Sequence, residues 1–225
     1  MRIVFLCSGS GGNLRFVAQA IRMGWIDEAQ ICAVLSDREC DANAFARAQG
    51  LPTEVLDFSA AGQLAMVDRL RAFGPDVIVT TVHRILVPEL VQAFCGKLVN
   101  LHYSLLPAFA ATIGDRPVRQ ALDYGAKFIG ITVHFVDEGV DSGRPIVQAV
   151  TAAPQEPELE AVMNVLFRSG CVGLLHAIAS LSPAIRPRRD GARTSVMLAG
   201  QVVHFNPAVM THPSLEQDQG WAFLK

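Results

Sequence analysis

Charged residues are scarce in this sequence, and neither sign of charge dominates. Only 18% of the 225 residues are Asp, Glu, Lys or Arg, and the formal net charge is −2. The strongly basic surface that binds nucleic acid through its phosphates is therefore not expected. We also identify no apolar run of the length that crosses a bilayer. Neither a nucleic acid nor a membrane is thus an expected partner.

Cysteine is present, but not in a pattern that builds a disulfide framework or a metal site. The cysteines are odd in number, widely spaced and mostly set in apolar runs: Cys7, Cys32, Cys40, Cys95 and Cys171. Such thiols are typical of a reduced compartment. Arg2 leads directly into the apolar run 3–7, which is too short for a signal-peptide core. We therefore predict a cytoplasmic protein without a bound metal, and we interpret Cys7 as an inert thiol.

Short apolar runs alternate with helical patterns through the first half of the chain. This alternation, with short joints marked by Gly and Pro, is typical of βαβ units. We predict strands at 3–7, 31–36, Val77–Thr81 and Leu98–His102, with helices from residue 13, near 42–49, over Ala60–Phe73 and near 88–94. The fold class is therefore α/β with a Rossmann-like, mostly parallel sheet that binds ligands at the carboxyl ends of its strands.

The second half of the chain predicts an antiparallel extension of this sheet. Strands at 130–136 and 145–151 follow the helix 117–124 with only a loop between them, and a long helix begins near Leu159. Two further runs, 194–199 and 201–206, flank Gly200 as in a terminal hairpin. We predict one α/β domain over residues 1–190, with a C-terminal hairpin and tail, residues 191–225, packed on it.

Three polar residues predict an acyl-transfer site. Asn100 and His102 are two positions apart on the strand Leu98–His102, so both side chains project from the same face. Asp141 lies in a loop bracketed by glycines that can return its carboxylate toward the histidine. Asn supplies N–H donors for a developing oxyanion, His titrates near neutrality, and Asp can orient it. Taken singly, they are equally typical of a turn-capping amide, a buried core histidine and an Asx-turn.

A glycine-rich loop joins the first strand to the first helix, with the residues Ser8, Gly9, Ser10, Gly11, Gly12 and Asn13. Consecutive backbone N–H groups and a helix N-terminus favour an anion at such a loop. The residues alone do not decide between an anion site and a plain tight turn. The spacing lacks both the G-x-G-x-x-G fingerprint and the P-loop lysine. This counts against the rival interpretation, a nicotinamide-dependent or nucleotide-binding Rossmann-type protein.

Together, N-x-H-x-S-L-L-P at 100–107, V-D-E-G-V-D-x-G at 136–143 and the loop 8–13 resemble the 10-formyltetrahydrofolate-dependent formyltransferases. The resemblance extends from residue 1 to about residue 153 and is closest to the glycinamide ribonucleotide transformylase group. It implies transfer of a formyl group from 10-formyltetrahydrofolate to an amine of a small-molecule acceptor. It further implies that the loop 8–13 holds the phosphate of the acceptor. The donor-binding residues that it implies are His83, Arg84, Ile85, Leu86, Val136, Asp137, Glu138 and Gly139.

Three departures from the family pattern concern the acceptor. The segment 108–118 is longer than usual, and Arg144 is inserted where the family passes directly from Gly to Pro. The late helix reads F-R-S-G-C-V-G at 167–173, without the acid that contacts the ribose hydroxyls in the transformylase group. We therefore expect a specialised acceptor, with glycinamide ribonucleotide and purine biosynthesis as the alternative. The charge of Arg144 can face an acidic acceptor or solvent, and we interpret His134 as a structural histidine near the site.

Overall fold

A central strand that is buried on both faces organises this computed structural model, which describes residues 1–181 and 191–224. After its first residue, β1 (Arg2–Cys7) is wholly apolar and buried, as strands covered on both faces are. It pairs in parallel with β2 (Gln30–Ser36) on one side and with β4 (Val77–Thr81) on the other. β3 (Thr53–Val55), which the sequence analysis missed because it is so short, adds to β2, and β5 (Leu98–His102) adds to β4.

Four antiparallel strands continue the same sheet. They are β6 (Phe128–Phe135), β7 (Pro145–Ala152), β8 (Arg193–Leu198) and β9 (Gln201–Val209). The strand order is β3-β2-β1-β4-β5-β6-β7-β9-β8, so the terminal hairpin forms one edge of the nine-stranded sheet. The predicted fold class, with its parallel core, antiparallel extension and terminal hairpin, is confirmed.

Helices cover both faces of the sheet and enclose two apolar cores. The larger core lies under α1 (Gly12–Arg22), α2 (Asp41–Ala48), α5 (Arg116–Tyr124) and α6 (Leu159–Ser180). The smaller core lies under α3 (Ala60–Phe73) and α4 (Pro88–Ala93). Because strand side chains alternate between faces, Phe5 belongs to the larger core and Leu6 to the smaller one.

The helix α6 corrects one expectation from the sequence. Its 22 residues are long and apolar enough, by length and composition, to cross a bilayer. In the structure most of the helix is buried, and it packs on β6 and β7 and against α1. A helix that is covered on several sides is apolar nearly all round, so its composition is that of a core helix. The expectation that no apolar run reaches this length was therefore wrong.

β2 and β3 are added to the sheet on one side of β1, whereas β4 and β5 are added on the other side. This switch in the order of the parallel strands places a crevice at the carboxyl ends of β1 and β4. Beyond the hairpin lie two short 3-10 helices, Pro213–Glu216 and Asp218–Leu224, of which the first packs on β8 and the second on α1. There the ring of Trp221 stacks on Phe16 with centroids 5.3 Å apart. The predicted division at residue 190 lies outside the residues that the structure describes and stays a prediction.

Candidate functional site

A cavity of about 760 Å³ opens at the carboxyl ends of β1, β4 and β5. This volume is in the range of small-molecule sites. Asn100, His102 and Asp141 all line it. The loop 9–13 and the segments 83–86 and 136–139, predicted from the sequence as binding segments, line it as well. The fold therefore brings every predicted site residue except Ser8 to the wall of one cavity.

His102 contacts a carboxylate with one ring nitrogen and a backbone carbonyl with the other. Its Nδ1 lies 3.3 Å from Oδ2 of Asp141, and its Nε2 lies 3.1 Å from the carbonyl oxygen of Phe109. Both side chains are largely buried, with 5% of His102 and 11% of Asp141 exposed. Because both partners of the ring are acceptors, both contacts are hydrogen bonds only when both ring nitrogens carry a proton. The geometry thus suits a histidine that acts as a proton donor.

The turn that returns Asp141 to His102 depends on left-handed backbone and on two glycines. Asp141 has a φ of 54°, a conformation that Asp tolerates better than most residues. Its Oδ2 also accepts a hydrogen bond from the backbone N–H of Ala111 at 2.9 Å. A Cβ on Gly139 would lie 2.1 Å from Oγ of Ser142, and one on Gly143 would lie 1.8 Å from the carbonyl oxygen of Phe135. This close packing explains why glycines bracket the loop.

His134 lies beside the predicted catalytic residues. The register of β5 and β6 pairs it with Asn100 and pairs Thr132 with His102. Its Nε2 is 3.5 Å from Nδ2 of Asn100 and 3.7 Å from Oδ1 of Asp141. Burial lowers the pKa of His134 below its ordinary value, which favours the neutral ring. The interpretation of His134 as a merely structural histidine misses its contact with Asn100.

The loop between β1 and α1 presents backbone N–H groups to the cavity. Gly11 is the N-cap of α1 and has a φ of 71°. Because glycine has no side chain, the first-turn N–H groups of the helix receive no side-chain cap from it. Ser8 is buried behind the loop, where its Oγ accepts a hydrogen bond from the backbone N–H of His83 at 2.8 Å. Oδ1 of Asn13 accepts a bond from the Cys171 thiol at 3.4 Å. Of the six predicted loop residues, Ser8 therefore supports the site without lining it.

The segment 83–86 lies after β4 and is anchored by residues from two other elements. Leu86 is buried, whereas 73% of Ile85 is exposed at the cavity. Nε of Arg84 lies 3.2 Å from Oδ2 of Asp37. The Arg38 guanidinium, with further hydrogen bonds from Ser8 and Arg84, holds the pKa of Asp37 well below its usual range. The charge of Arg84 is therefore already partnered.

Gln63 of α3 anchors the same segment by hydrogen bonds from its buried side chain. This residue was not predicted from the sequence. Its side chain is buried, and its Nε2 donates to the carbonyl oxygens of Phe58 at 3.0 Å and Ile85 at 3.1 Å. Its Oε1 accepts from the backbone N–H of Val87 at 2.8 Å. A glutamine in an amphipathic helix carries no sequence signal for such a role, because the partners are backbone atoms distant in sequence.

In the segment 136–139, the acidic side chains accept hydrogen bonds from the loop itself and from the neighbouring helix α4. Oδ1 of Asp137 accepts from the backbone N–H of Gly139 and from the hydroxyl of Ser142, at 3.1 Å and 2.7 Å. Oε1 of Glu138 accepts from Nε2 of Gln92 at 2.7 Å. The backbone of this segment is thus better placed than its carboxylates to read a ligand by hydrogen bonds.

The three departures noted in the sequence differ in their relation to the cavity. The segment 108–118 closes over the His102–Asp141 pair, with positive φ values of 56° at Phe109 and 60° at Ala111. Phe167 lines the cavity beside the glycine-rich loop. The guanidinium of Arg144 instead lies 5.7 Å from the ring centroid of Phe135 and outside the cavity lining. The residue is exposed, so in this orientation its charge faces solvent, one of the two orientations left open by the sequence.

A second aromatic residue, Tyr103, also lines the cavity and was not singled out from the sequence. Burial raises the pKa of Tyr103 well above its ordinary value, and the nearby side chain of Asn13 opposes this shift. Burial likewise raises the pKa of the Cys7 thiol to about 12, in keeping with an unreactive cysteine. Within residues 1–181 and 191–224, no group of three or more His, Cys, Asp or Glu side chains is arranged to hold a metal ion.

Comparison with known proteins agrees with this fold and site. The family model described as "Formyl transferase" matches residues 1–178. The chain is 34% identical over 188 residues to a phosphoribosylglycinamide formyltransferase of Mycobacterium tuberculosis, covering 80% of this chain and 85% of that protein. It is 33% identical over 154 residues to a formyltetrahydrofolate deformylase of Escherichia coli, covering 66% and 53%.

Among solved structures, a glycinamide ribonucleotide transformylase from Symbiobacterium toebii superposes with a TM-score of 0.73 and 30% sequence identity. The superposition covers 94% of both chains. The resemblance inferred from the motifs at 100–107 and 136–143 is thereby confirmed. Because the family model matches the first 178 of the 225 residues, this chain belongs to the formyl transferase family.

Proposed function

We propose that this protein transfers the formyl group of 10-formyltetrahydrofolate to an amine of a small-molecule acceptor, with Asn100, His102 and Asp141 as its catalytic residues. The observation that carries the proposal is the contact of 3.3 Å between Nδ1 of His102 and Oδ2 of Asp141, inside a cavity that Asn100 also lines. A carboxamide beside a histidine that is paired with a carboxylate is the set of groups that acyl transfer to an amine requires.

The wall of the cavity fits a reduced folate as formyl donor. The side chains of Ile85, Ile113 and Val140 are 73%, 51% and 47% exposed, and all three line the cavity. Apolar side chains held open in this way suit the flat ring systems of a folate, and the backbone of 84–86 and 136–140 can pair with its ring nitrogens and oxygens. When bound, 10-formyltetrahydrofolate supplies an N-formyl carbon that is open to attack by an amine.

Each catalytic residue then has a task that follows from its position. Asn100 donates an Nδ2–H hydrogen bond toward the formyl oxygen as negative charge develops there. Protonated His102 supplies a second donor, after exchanging its contact with the Phe109 carbonyl for one with the substrate. Asp141 stabilises the imidazolium. It also accepts a proton from the attacking amine, directly or through water, and this proton is then passed to the departing N10.

The acceptor is assigned to the end of the cavity next to the loop 8–13. First-turn N–H groups of α1 and the helix dipole favour an anionic group there. Glycinamide ribonucleotide is the alternative acceptor suggested by the relatives. Phe167 argues against it, because it lies in the turn where the resemblance implies a ribose-binding acid. We therefore propose an amine as the acceptor class without assigning glycinamide ribonucleotide as the particular amine.

Replacement of the catalytic residues tests the proposal. Asn100→Ala and His102→Ala should each lower kcat roughly 100- to 1000-fold while the Kd for 5-formyltetrahydrofolate, a stable reduced folate, stays within about threefold. His204→Ala, on an exposed strand position, is the control and should leave both unchanged. Equal loss of binding and turnover in folded variants would contradict the assigned roles.

Two further measurements separate this function from its rivals. Tetrahydrofolate release should depend on an added amine; release at the same rate without amine indicates hydrolysis, the activity named for the deformylase relative. Titration with NAD(P) in place of the folate should show no saturable binding. Saturable NAD(P) binding together with failure to bind the folate would replace the proposal by the dinucleotide-binding alternative.

A further inference from the structure

Two aromatic residues line the cavity together with the glycine-rich loop, and this part of the cavity is called here the acceptor end. It is lined by Gly11, Gly12, Asn13, Tyr103 and Phe167. Tyr103 follows β5 directly and lies next to His102 in sequence, whereas Phe167 comes from the middle of α6. The two residues therefore connect the strand of the proposed catalytic residues with the helix that packs on the proposed anion site.

Phe167 lies directly on the glycine-rich loop. A Cβ added to Gly12 would stand 2.9 Å from Cε2 and Cζ of the phenyl ring, which is closer than real Cβ contacts. The ring is half-buried, so one part packs on Gly12 and the rest faces the cavity. The next residue, Arg168, is fixed by a hydrogen bond of 2.7 Å to Asp218 and by its position 5.2 Å over the Trp221 ring. The C-terminal tail thereby holds this turn of α6 in place.

The acceptor end carries few groups that could bind sugar hydroxyls. Among the described residues that line the cavity, the carboxylates are Asp137, Glu138 and Asp141, and all three belong to the loop after β6. Oδ1 of Asn13 already accepts a hydrogen bond from the Cys171 thiol. A polyhydroxylated group placed here would lose hydrogen bonds to water without regaining them, which is costly.

A second, apolar cavity of about 260 Å³ also has Tyr103 in its lining. Tyr103 lines both cavities, and Leu166, next to Phe167 on α6, lines the second one. Val118 and Ala121 of α5 form its inner wall, and the exposed Ala108 is on its rim. The two cavities thus share the walls formed by Tyr103 and α6, and the second has room for several carbon atoms.

We infer that the acceptor end is an apolar subsite that selects an amine with an aromatic or branched aliphatic substituent. This inference rests on the proposed function and names its acceptor class. The ring or branched group lies between Tyr103 and Phe167, its amine faces His102, and a longer apolar chain extends past Tyr103 into the second cavity. Burial of apolar surface against the two rings then adds affinity beside that of the loop 8–13 for an anionic group.

The test compares two primary amines of similar basicity, benzylamine and ethanolamine, on this 225-residue chain saturated with 5-formyltetrahydrofolate. Ligand-observed NMR should give a Kd for benzylamine at least about tenfold below that for ethanolamine. Phe167→Gln should reduce this ratio to less than about threefold. Phe73→Gln replaces a half-buried phenylalanine of α3 outside both cavities and should leave the ratio as in the wild type.

The second cavity is tested by chain length. Ala108→Trp covers its rim and should weaken binding of 4-phenylbutylamine at least about tenfold while leaving benzylamine unchanged. Ala72→Trp, at an exposed position of α3, is the matched control. If 4-phenylbutylamine binds both variants equally, the extension into the second cavity is wrong.

Failure of this inference can be told apart from failure of the proposed function. Equal affinity for benzylamine and ethanolamine in a protein that binds 5-formyltetrahydrofolate overturns the apolar subsite and leaves formyl transfer standing. Absence of saturable binding of the folate overturns the proposed function itself. Both measurements are made on the unmodified chain, so neither result depends on whether a variant folds.

Discussion

Nδ2 of Asn100 lies 3.5 Å from Nε2 of His134 on the neighbouring strand. Nδ1 of the same ring donates to the carbonyl oxygen of Phe135 at 2.8 Å, so in the neutral ring Nε2 is the acceptor. This assignment turns the amide nitrogen of Asn100, and not its oxygen, toward His134. One N–H of the amide is then bonded to the ring, and the other is left to point at a formyl oxygen. We therefore expect His134 to position the amide of Asn100.

His134→Leu removes this acceptor at nearly constant volume and should let the Asn100 amide rotate. We expect kcat to fall roughly tenfold to a hundredfold, the range for a displaced catalytic group, with the Kd of 5-formyltetrahydrofolate unchanged. His134→Gln, which offers a carbonyl oxygen in place of Nε2, should recover part of the loss, whereas His204→Leu should have no effect. Steady-state kinetics and folate binding, measured side by side, decide between positioning and mere stability.

The pH dependence of stability follows from two buried histidines. Burial lowers the pKa of His134, and burial also lowers the pKa of His176. Below the ordinary histidine pKa of 6.5 the unfolded chain binds protons that the folded one resists. The contribution of these neutral histidines to the free energy of unfolding is therefore complete above pH 6.5. It should decline as the pH falls below 6.5 toward the lowered pKa values.

The decline should be at most about 1.4 kcal/mol per pH unit for each histidine. Urea unfolding between pH 7.5 and 5 measures it. His176→Gln, away from the cavity, should reduce the slope without changing turnover. A slope that is the same in this variant and in the wild type would contradict a contribution of His176 to the acid sensitivity.

The strand that carries the site could be predicted almost to the residue. β5 is short and preceded by Gly96, and Leu98, Val99 and Leu101 are apolar, so the placement of Asn100 and His102 on one face follows from the pattern alone. The partner of Asn100 could not be predicted, because the register between β5 and β6 depends on how the whole sheet packs. His134 is two residues after Thr132 on β6, and only the observed pairing shows that it faces Asn100.

The acceptor end shows the same limit. The sequence pattern predicts that α6 is a helix and that its apolar positions pack on the sheet. It does not predict that the chain's last residues return to hold Arg168, or that Phe167 consequently lies on Gly12. Contacts between segments distant in the chain depend on topology, and single-sequence patterns are local.

Gln63 offers a test of how the donor wall is held in place. Gln63→Leu leaves the carbonyls of Phe58 and Ile85 and the N–H of Val87 without their partner, which should cost about 1–3 kcal/mol of stability. The same change should raise the KM for the folate several-fold with little change in kcat, because the loop 85–87 moves while His102 does not. Equal changes in both constants would contradict a role confined to the donor side.

Ile85 tests the donor wall directly. Because 73% of the residue is exposed, Ile85→Asp should change the free energy of unfolding by no more than about 0.5 kcal/mol. A carboxylate in an apolar rim loses hydration when a flat ring covers it, so the Kd for 5-formyltetrahydrofolate should rise at least about tenfold. Val55→Asp, at another exposed apolar position, is the control. An unchanged folate Kd in Ile85→Asp would place the donor elsewhere in the cavity.

Glycinamide ribonucleotide should be a poor acceptor for this enzyme. A hydrogen bond from a sugar hydroxyl to a carboxylate contributes about 1.5–3 kcal/mol, and the turn of α6 that faces the glycine-rich loop presents the ring of Phe167 in place of an acid. We expect a kcat/KM below about 10⁴ M⁻¹s⁻¹, the lower end of the ordinary enzyme range. Phe167→Glu should raise this value at least about tenfold, while Phe167→Gln, of similar size and neutral, should not. Efficient turnover of the ribonucleotide by the unmodified protein would overturn the prediction and assign the chain to purine biosynthesis, the alternative that its relatives suggest.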